Sequence, residues 1–188
     1  MPRATAAGRD KRQDERLEAV WDVLRAEARA LERAADHVGP AFGEVLDLLQ
    51  RCTGRVVVAG IGRSGQVAQC MASTLNRAGV PSLFLHAADA AHGDLGAVTS
   101  SDVALLVSHD GATQELLLLL PYLGELKVPI VALVGDERSA LARAASHVLS
   151  TQSIRHATSP EIAEMASALV SLALVDALAA GLRHVTGA

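Results

Sequence analysis

The sequence predicts an α/β domain, a three-layer sandwich in which helices cover both faces of a five-stranded parallel sheet, with a pair of helices ahead of it. Three observations carry this. Short β-branched, apolar runs recur at Val56-Val57-Val58, Ser82 to Leu85, Val103 to Val107, Ile130 to Val134 and, more briefly, Val148-Leu149. Strands apolar at nearly every position are buried on both faces, as in parallel sheets covered by helices. Segments with helical spacing alternate with these runs, which gives a right-handed series of β-α-β units. Half of the residues are hydrophobic but only 2% are aromatic, so the core must be Ala, Val and Leu in close packing.

Met1 to Asp14 mixes Arg, Lys, Asp and Gly without the apolar stretch of a secretory signal, and is expected to be a disordered tail. From Glu15 to about His37, Leu17, Val20, Trp21, Leu24, Ala28 and Leu31 recur at three- and four-residue steps, the stripe of an amphipathic helix. Gly39-Pro40 ends it. A second helix, about Ala41 to Arg51, puts Phe42, Val45, Leu46 and Leu49 on one side before Thr53-Gly54 turns the chain. Residues 15–54 thus read as N-terminal helices packed on the domain, and 55–188 as the domain itself. Its later helices are expected at Gln66 to Ala78, Thr113 to Leu126, Ser139 to Ala144 and Ser159 to Leu182.

The 188 residues suit one domain with a sizeable core. A net charge of -4, with basic residues scattered outside the N-terminus, gives no electrostatic footprint for nucleic acid. Cys52 and Cys70 lack any metal or disulfide spacing, which fits a reducing, cytoplasmic setting. The most apolar stretches, Leu116 to Leu120 and Ala166 to Ala180, are short or interrupted by polar residues, so no membrane span is expected.

Two loops have the character of a ligand site. The first strand runs into Gly60-Ile61-Gly62-Arg63-Ser64-Gly65 and directly into a helix, so backbone amides and a helix N-terminus converge where an anion is favoured. The third strand ends in Ser108-His109-Asp110-Gly111-Ala112-Thr113, again just ahead of a helix. Together they define a crevice at neighbouring strand ends. Each also has a plainer reading: a tight turn that permits close packing for the glycines, and a helix N-cap for Thr113. No acidic residue ends the second strand where a dinucleotide ribose would need one; Leu85-His86 stands there, and no cofactor is expected. Between the loops, His86, Asp89, His92 and Asp94 carry ionisable groups toward the same crevice, as acid-base machinery or, less simply, as metal ligands; no metal is assigned.

The stretch Val56 to Leu106, with Val-Val-Val-Ala-Gly-Ile-Gly-Arg-Ser-Gly, then Phe84-Leu-His-Ala and Ala91-His-Gly-Asp-Leu-Gly, closely resembles the sugar-isomerase (SIS) domain of arabinose 5-phosphate isomerases, a flavodoxin-like fold. The similarity covers about Leu17 to Leu182, and no counterpart of the paired CBS domains that often follow in that family is present in these residues. The resemblance implies conversion of an aldose phosphate into its ketose isomer through a cis-enediol, with Ser64, Ser108 and Thr113 matching phosphate-binding hydroxyls and His86 a histidine near the reacting sugar. It also implies a sugar phosphate or related derivative as partner, and assembly as a homodimer or homotetramer.

The chain departs from the family pattern at telling positions. Arg63 stands where Lys is usual; it keeps the charge but shuttles protons poorly. In place of Ser-x-Ser-Gly-Glu, the second loop has Asp110 for a hydroxyl and Ala112 for a carboxylate. A Glu-Arg-Glu segment aligns with Ile154-Arg155-His156, and an Ala-Pro-Thr-Ser-Ser-Thr helix start with Ala163 to Ala168. Three readings follow: an isomerase with a rearranged acid-base set drawn from His86, His109 and Glu115; a non-catalytic module that keeps the pocket (Gly62, Arg63, Ser64, Gly65, Ser108, Asp110, Gly111, Thr113, His92, Asp94) and has lost the reaction; or a new His109-Asp110 pair in which the carboxylate orients the imidazole.

Overall fold

A computed structural model describes residues 6–90, 92–151 and 159–186, without the side chains of 6–10, 12 and 184–186. In chain order the elements are α1 (Ala6–Asp36), α2 (Pro40–Gln50), β1 (Val56–Gly60), α3 (Gly62–Arg77), β2 (Ser82–His86), α4 (Ala87–Ala90), a 3-10 turn (Asp94–Ala97), β3 (Val103–Ser108), α5 (Gln114–Leu117), α6 (Leu120–Glu125), β4 (Ile130–Val134), α7 (Ala140–Ala144), β5 (His147–Ser150) and α8 (Pro160–Thr186). The five strands are all parallel in the order β2-β1-β3-β4-β5. The order reverses at β1 and β3, so a crevice opens beyond their C-terminal ends.

The expected three layers follow from the period of two along each strand. Val56 and Val58, Val103, Leu105 and Val107, and Val131 and Leu133 face one core, closed by Met71 and Leu75 of α3 and Val170, Leu174 and Leu178 of α8. Val57 and Ala59, Ala104 and Leu106, and Ile130, Ala132 and Val134 face the other, closed by Leu116, Leu119, Leu123 and Leu141 from the α5 to α7 region. Both faces being dry, polar side chains are displaced to the strand ends.

Three sequence expectations are corrected here. α1 begins at Ala6, inside the segment expected to be a disordered tail; residues 1–5 lie outside the described residues. Ala, Arg, Lys, Gln and Glu are strong helix formers, and Lys11 sits four residues before Glu15, so a polar segment can continue a helix without burying anything. The helix expected over Thr113 to Leu126 is broken at Leu118-Leu119, because Pro121 opens α6 and its ring cannot accommodate the preceding turn. Finally, Pro160–Arg183 is long and apolar enough to cross a membrane, contrary to the length argument. In the fold its Ala163, Ala166, Val170, Leu174, Val175, Leu178 and Leu182 are buried, which is the character of a core helix.

At the other edge of the sheet, Asp102 joins the starts of β1 and β3. Its buried carboxylate accepts the Arg55 amide at 2.7 Å, the Thr99 amide at 2.8 Å and the Thr99 hydroxyl at 3.1 Å. Burial would raise its pKa, but the hydrogen bonds from Arg55 and Thr99 and the Arg55 charge outweigh it and hold the group below the ordinary carboxylate value. A depressed folded pKa stabilises above the unfolded value and is lost as pH falls through the folded one. Asp102→Asn turns an amide donor toward these donors and should destabilise by about 1–3 kcal/mol at pH 7. In thermal melts the gap between wild type and variant should stay constant above about pH 5 and narrow below about pH 4; equal melting temperatures at pH 7 would refute the assignment.

Candidate functional site

The first loop is shaped by how closely α3 approaches β1. A Cβ on Gly60 would lie 2.7 Å from the Ser64 carbonyl oxygen, so only glycine lets the helix start press against the strand end. The Gly65 amide donates to the Ile61 carbonyl at 3.0 Å, and the amides of Gly62, Arg63 and Ser64 precede that first rung of the ladder. These are the orphan donors that favour an anion. His86 pairs in register with Gly60 across β1 and β2, and its ring reaches the space beside Gly65. Its buried Nδ1 has no hydrogen-bond partner, the Asp89 carboxylate standing 3.5 Å away.

The second loop is built around Ser108, buried at the end of β3. Its Oγ accepts the Gly111 amide at 3.0 Å, lies 2.7 Å from the Thr113 hydroxyl and donates to Asp110 Oδ1 at 3.3 Å. The same Asp110 oxygen accepts the Ala112 amide at 2.9 Å. Gly111 has a φ of +65°, and a Cβ there would collide with the side chain of Ser139, whose hydroxyl caps α7 by accepting the Ala142 amide at 3.3 Å. Thr113 occupies the N-cap position of α5 but its side chain makes no capping bond. The plainer reading of Thr113 as a cap is therefore wrong in its side chain, which is paired with Ser108 instead.

The crevice itself lies between α3, the end of β3 and α8, lined by Arg63, Ser64, Ser108 and His109 and, from α8, Glu164, Ser167 and Ser171. Arg63 Nε stands 3.2 Å from Glu164 Oε1. Ser167 is buried and its Oγ lies 3.1 Å from the Thr151 hydroxyl. Burial pushes the His109 imidazole below its ordinary pKa, against the opposing pull of Glu164 and Asp110. It is thus a neutral imidazole at pH 7, with a buried Nδ1 that has no hydrogen-bond partner. Asp110 accepts from Ala112 and Ser108 through Oδ1, and no hydrogen bond joins it to His109 among the described residues, whereas the His109-Asp110 reading required one.

The remaining expected residues are less convergent. Glu115 sits half-buried in the first turn of α5, and no ion pair or hydrogen bond joins it to His86 or His109 among the described residues. His92 and Asp94 are exposed around the 3-10 turn, the His92 amide donating to the Asp89 carbonyl at 2.9 Å. Ile154-Arg155-His156 lies outside the described residues. Glu164, Ser167 and Ser171 were not singled out from the sequence as site residues. Their signal is there: Ser167 and Ser171, four apart in the run Ala166 to Val175 that is otherwise Ala, Leu and Val, mark one polar line on a buried face.

Comparison with known proteins identifies the family. The SIS domain family model matches residues 49–181. The chain is 39% identical over 88% of its length to the "Probable arabinose 5-phosphate isomerase" of Haemophilus influenzae, covering 49% of that protein. It is 38% identical over 86% of its length to arabinose 5-phosphate isomerase KdsD of Pseudomonas aeruginosa, again covering 49%. The chain thus spans about half the length of the curated relatives it matches. Among solved structures, E. coli CFT073 c3406 in complex with arabinose 5-phosphate superposes with a TM-score of 0.82 at 29% identity, covering 93% of each chain. With a five-stranded parallel sheet in the same architecture and a family model over most of its residues, the chain belongs to the SIS domain family.

Proposed function

We propose that the crevice binds a phosphosugar and interconverts an aldose phosphate and its ketose isomer, with arabinose 5-phosphate the first substrate to test. The observation that carries this is the convergence at the β1/β3 switch point of two glycine loops, one offering the Gly62 to Ser64 amides and the other the paired Ser108 and Thr113 hydroxyls. The likeness to a structure in complex with arabinose 5-phosphate supports the same ligand class. The phosphate is held by the first-turn amides, Ser64, Ser108 and Thr113, with Arg63 as counter-charge.

Isomerisation is redox-neutral. A base removes the C2 proton, an acid protonates O1 to give the cis-enediol, and the proton returns to C1 as O2 loses its own. His109 is neutral at pH 7 and without a hydrogen bond at Nδ1, which suits the base; His86, beside the first loop with the Asp89 carboxylate 3.5 Å from its Nδ1, suits the acid. Glu115, half-buried in the first turn of α5, is the third candidate for proton transfer. The second reading, a binding module without turnover, is favoured by Ala112 itself and by Asp110, whose charge lies among the groups proposed to hold phosphate. We place the protein in the cytoplasm, without a nucleic acid or membrane partner.

A homo-oligomer, dimer or tetramer, belongs to the same proposal. Leu17, Val20, Trp21 and Leu24 form a stripe on α1 that is 51–55% exposed, and a second copy that covered the exposed half would contribute about 1 kcal/mol for each side chain.

Three outcomes check these readings. Incubation with arabinose 5-phosphate in D2O should yield the ketose with deuterium at C1, lost in His109→Asn, while Ser64→Ala should weaken sugar-phosphate binding without lowering the melting temperature; binding without any exchange would select the module. Asp110→Ser should tighten phosphosugar binding by about tenfold at low salt and less at high salt, because the exposed carboxylate repels phosphate through solvent; weaker binding in titration calorimetry would make Asp110 a ligand-positioning group. Light scattering should show a mass above the monomer that Trp21→Glu reduces, and a monomer at micromolar concentration would remove the oligomer from the proposal.

A further inference from the structure

The crevice between α3 and α8 is closed in this conformation. Its cavity is about 10 Å³, close to the least that admits one water, and a phosphate group does not fit. Two of its lining residues, Arg63 in the first turn of α3 and Glu164 near the start of α8, form an ion pair at the protein surface, with both side chains about half exposed. Arg63 is the cation of the first loop, so the group best placed to meet an incoming anion already holds one. The basic side chains among the described lining residues are Arg63 and His109, and His109 is the one without a hydrogen bond at Nδ1.

We propose that Glu164 is a built-in competitor for the ligand's phosphate: its carboxylate holds Arg63, and with it the start of α8, over the crevice until a ligand anion takes Arg63 away. The inference rests on the phosphosugar reading of the site and adds how that site is gated and which charge it selects. The exchange is physically easy in one direction. An exposed carboxylate pair favours the closed form by only about two- to fivefold, whereas guanidinium and phosphate meet through two parallel charge-assisted bonds. Opening the start of α8 would also expose the Ser167 and Ser171 line to the ligand.

The test compares wild type, Glu164→Gln and a matched control, Glu161→Gln, which removes a carboxylate from the same end of α8 at an exposed position outside the lining. Two readouts use no sugar and no turnover. Hydrogen exchange over residues 160–166 should quicken in Glu164→Gln beyond the change in Glu161→Gln, and the affinity for inorganic phosphate by calorimetry should rise about two- to fivefold in Glu164→Gln alone. Exchange no faster than in Glu161→Gln, or phosphate bound no more tightly than by wild type, overturns the inference. Arabinose 5-phosphate added to wild type tests the underlying reading separately: a chain that ignores the sugar but shows both effects keeps the gate and loses the phosphosugar assignment.

Discussion

The rest of the structure depends on the burial of β1 and β3 on both faces. Val56 to Ala59 and Val103 to Val107 are at most 3% exposed, and a polar side chain placed among them would need a partner that neither core offers. Polar chemistry is therefore driven to the strand ends, where Gly60 and Ser108 begin the two loops. The helices that cover the faces must start immediately after those strands, which brings their unpaired first-turn amides to the same edge. A site at this edge is thus a consequence of dry strands and short connections, before any particular ligand is considered.

Within the site, most of the polar groups satisfy one another. Ser108 pairs with Thr113 and accepts Gly111, Asp110 accepts Ala112, and Arg63 meets Glu164. This holds the loops in place without a ligand, because an unpaired buried group costs about 1–3 kcal/mol. Two imidazoles beside the loops are left out of the pairing: His86 and His109 each keep a buried Nδ1 without a hydrogen bond. Unsatisfied groups that persist next to a crevice are where a substrate's hydroxyls and moving protons find partners.

The strands are legible in the sequence because double-sided burial leaves uninterrupted β-branched runs, and the loops because Gly, Ser and Thr cluster at their ends. All five strands fall within a few residues of where the pattern puts them. The failures have physical reasons. Ala6 to Asp14 shows no apolar period, yet charged residues with high helix propensity extend α1; Pro121 interrupts a run whose apolar spacing otherwise reads as continuous. The α8 side of the crevice is invisible because Glu164, Ser167 and Ser171 lie far along the chain from both loops, and only the packing of α8 on α3 brings them to Arg63 and Ser108. His92 and Asp94, in one of the runs that carry the resemblance, stand exposed.

The position of each carboxylate, more than the number of them, governs the chemistry the crevice can perform. Where the family resemblance implies a carboxylate after the second glycine, this chain has the methyl of Ala112, and its acids enter from elsewhere: Asp110 from two residues earlier and Glu164 from α8. Both are already engaged, Asp110 by the Ala112 amide and Glu164 by the Arg63 guanidinium. His109 differs in kind. Burial makes its charged form unfavourable, so it rests neutral at pH 7 with a lone pair available, while the nearby charges of Glu164 and Asp110 would stabilise the imidazolium once a proton arrives. In the proposed isomerisation the base is therefore an imidazole flanked by carboxylates where the resemblance implies a carboxylate, and the ligand's phosphate draws Arg63 from Glu164.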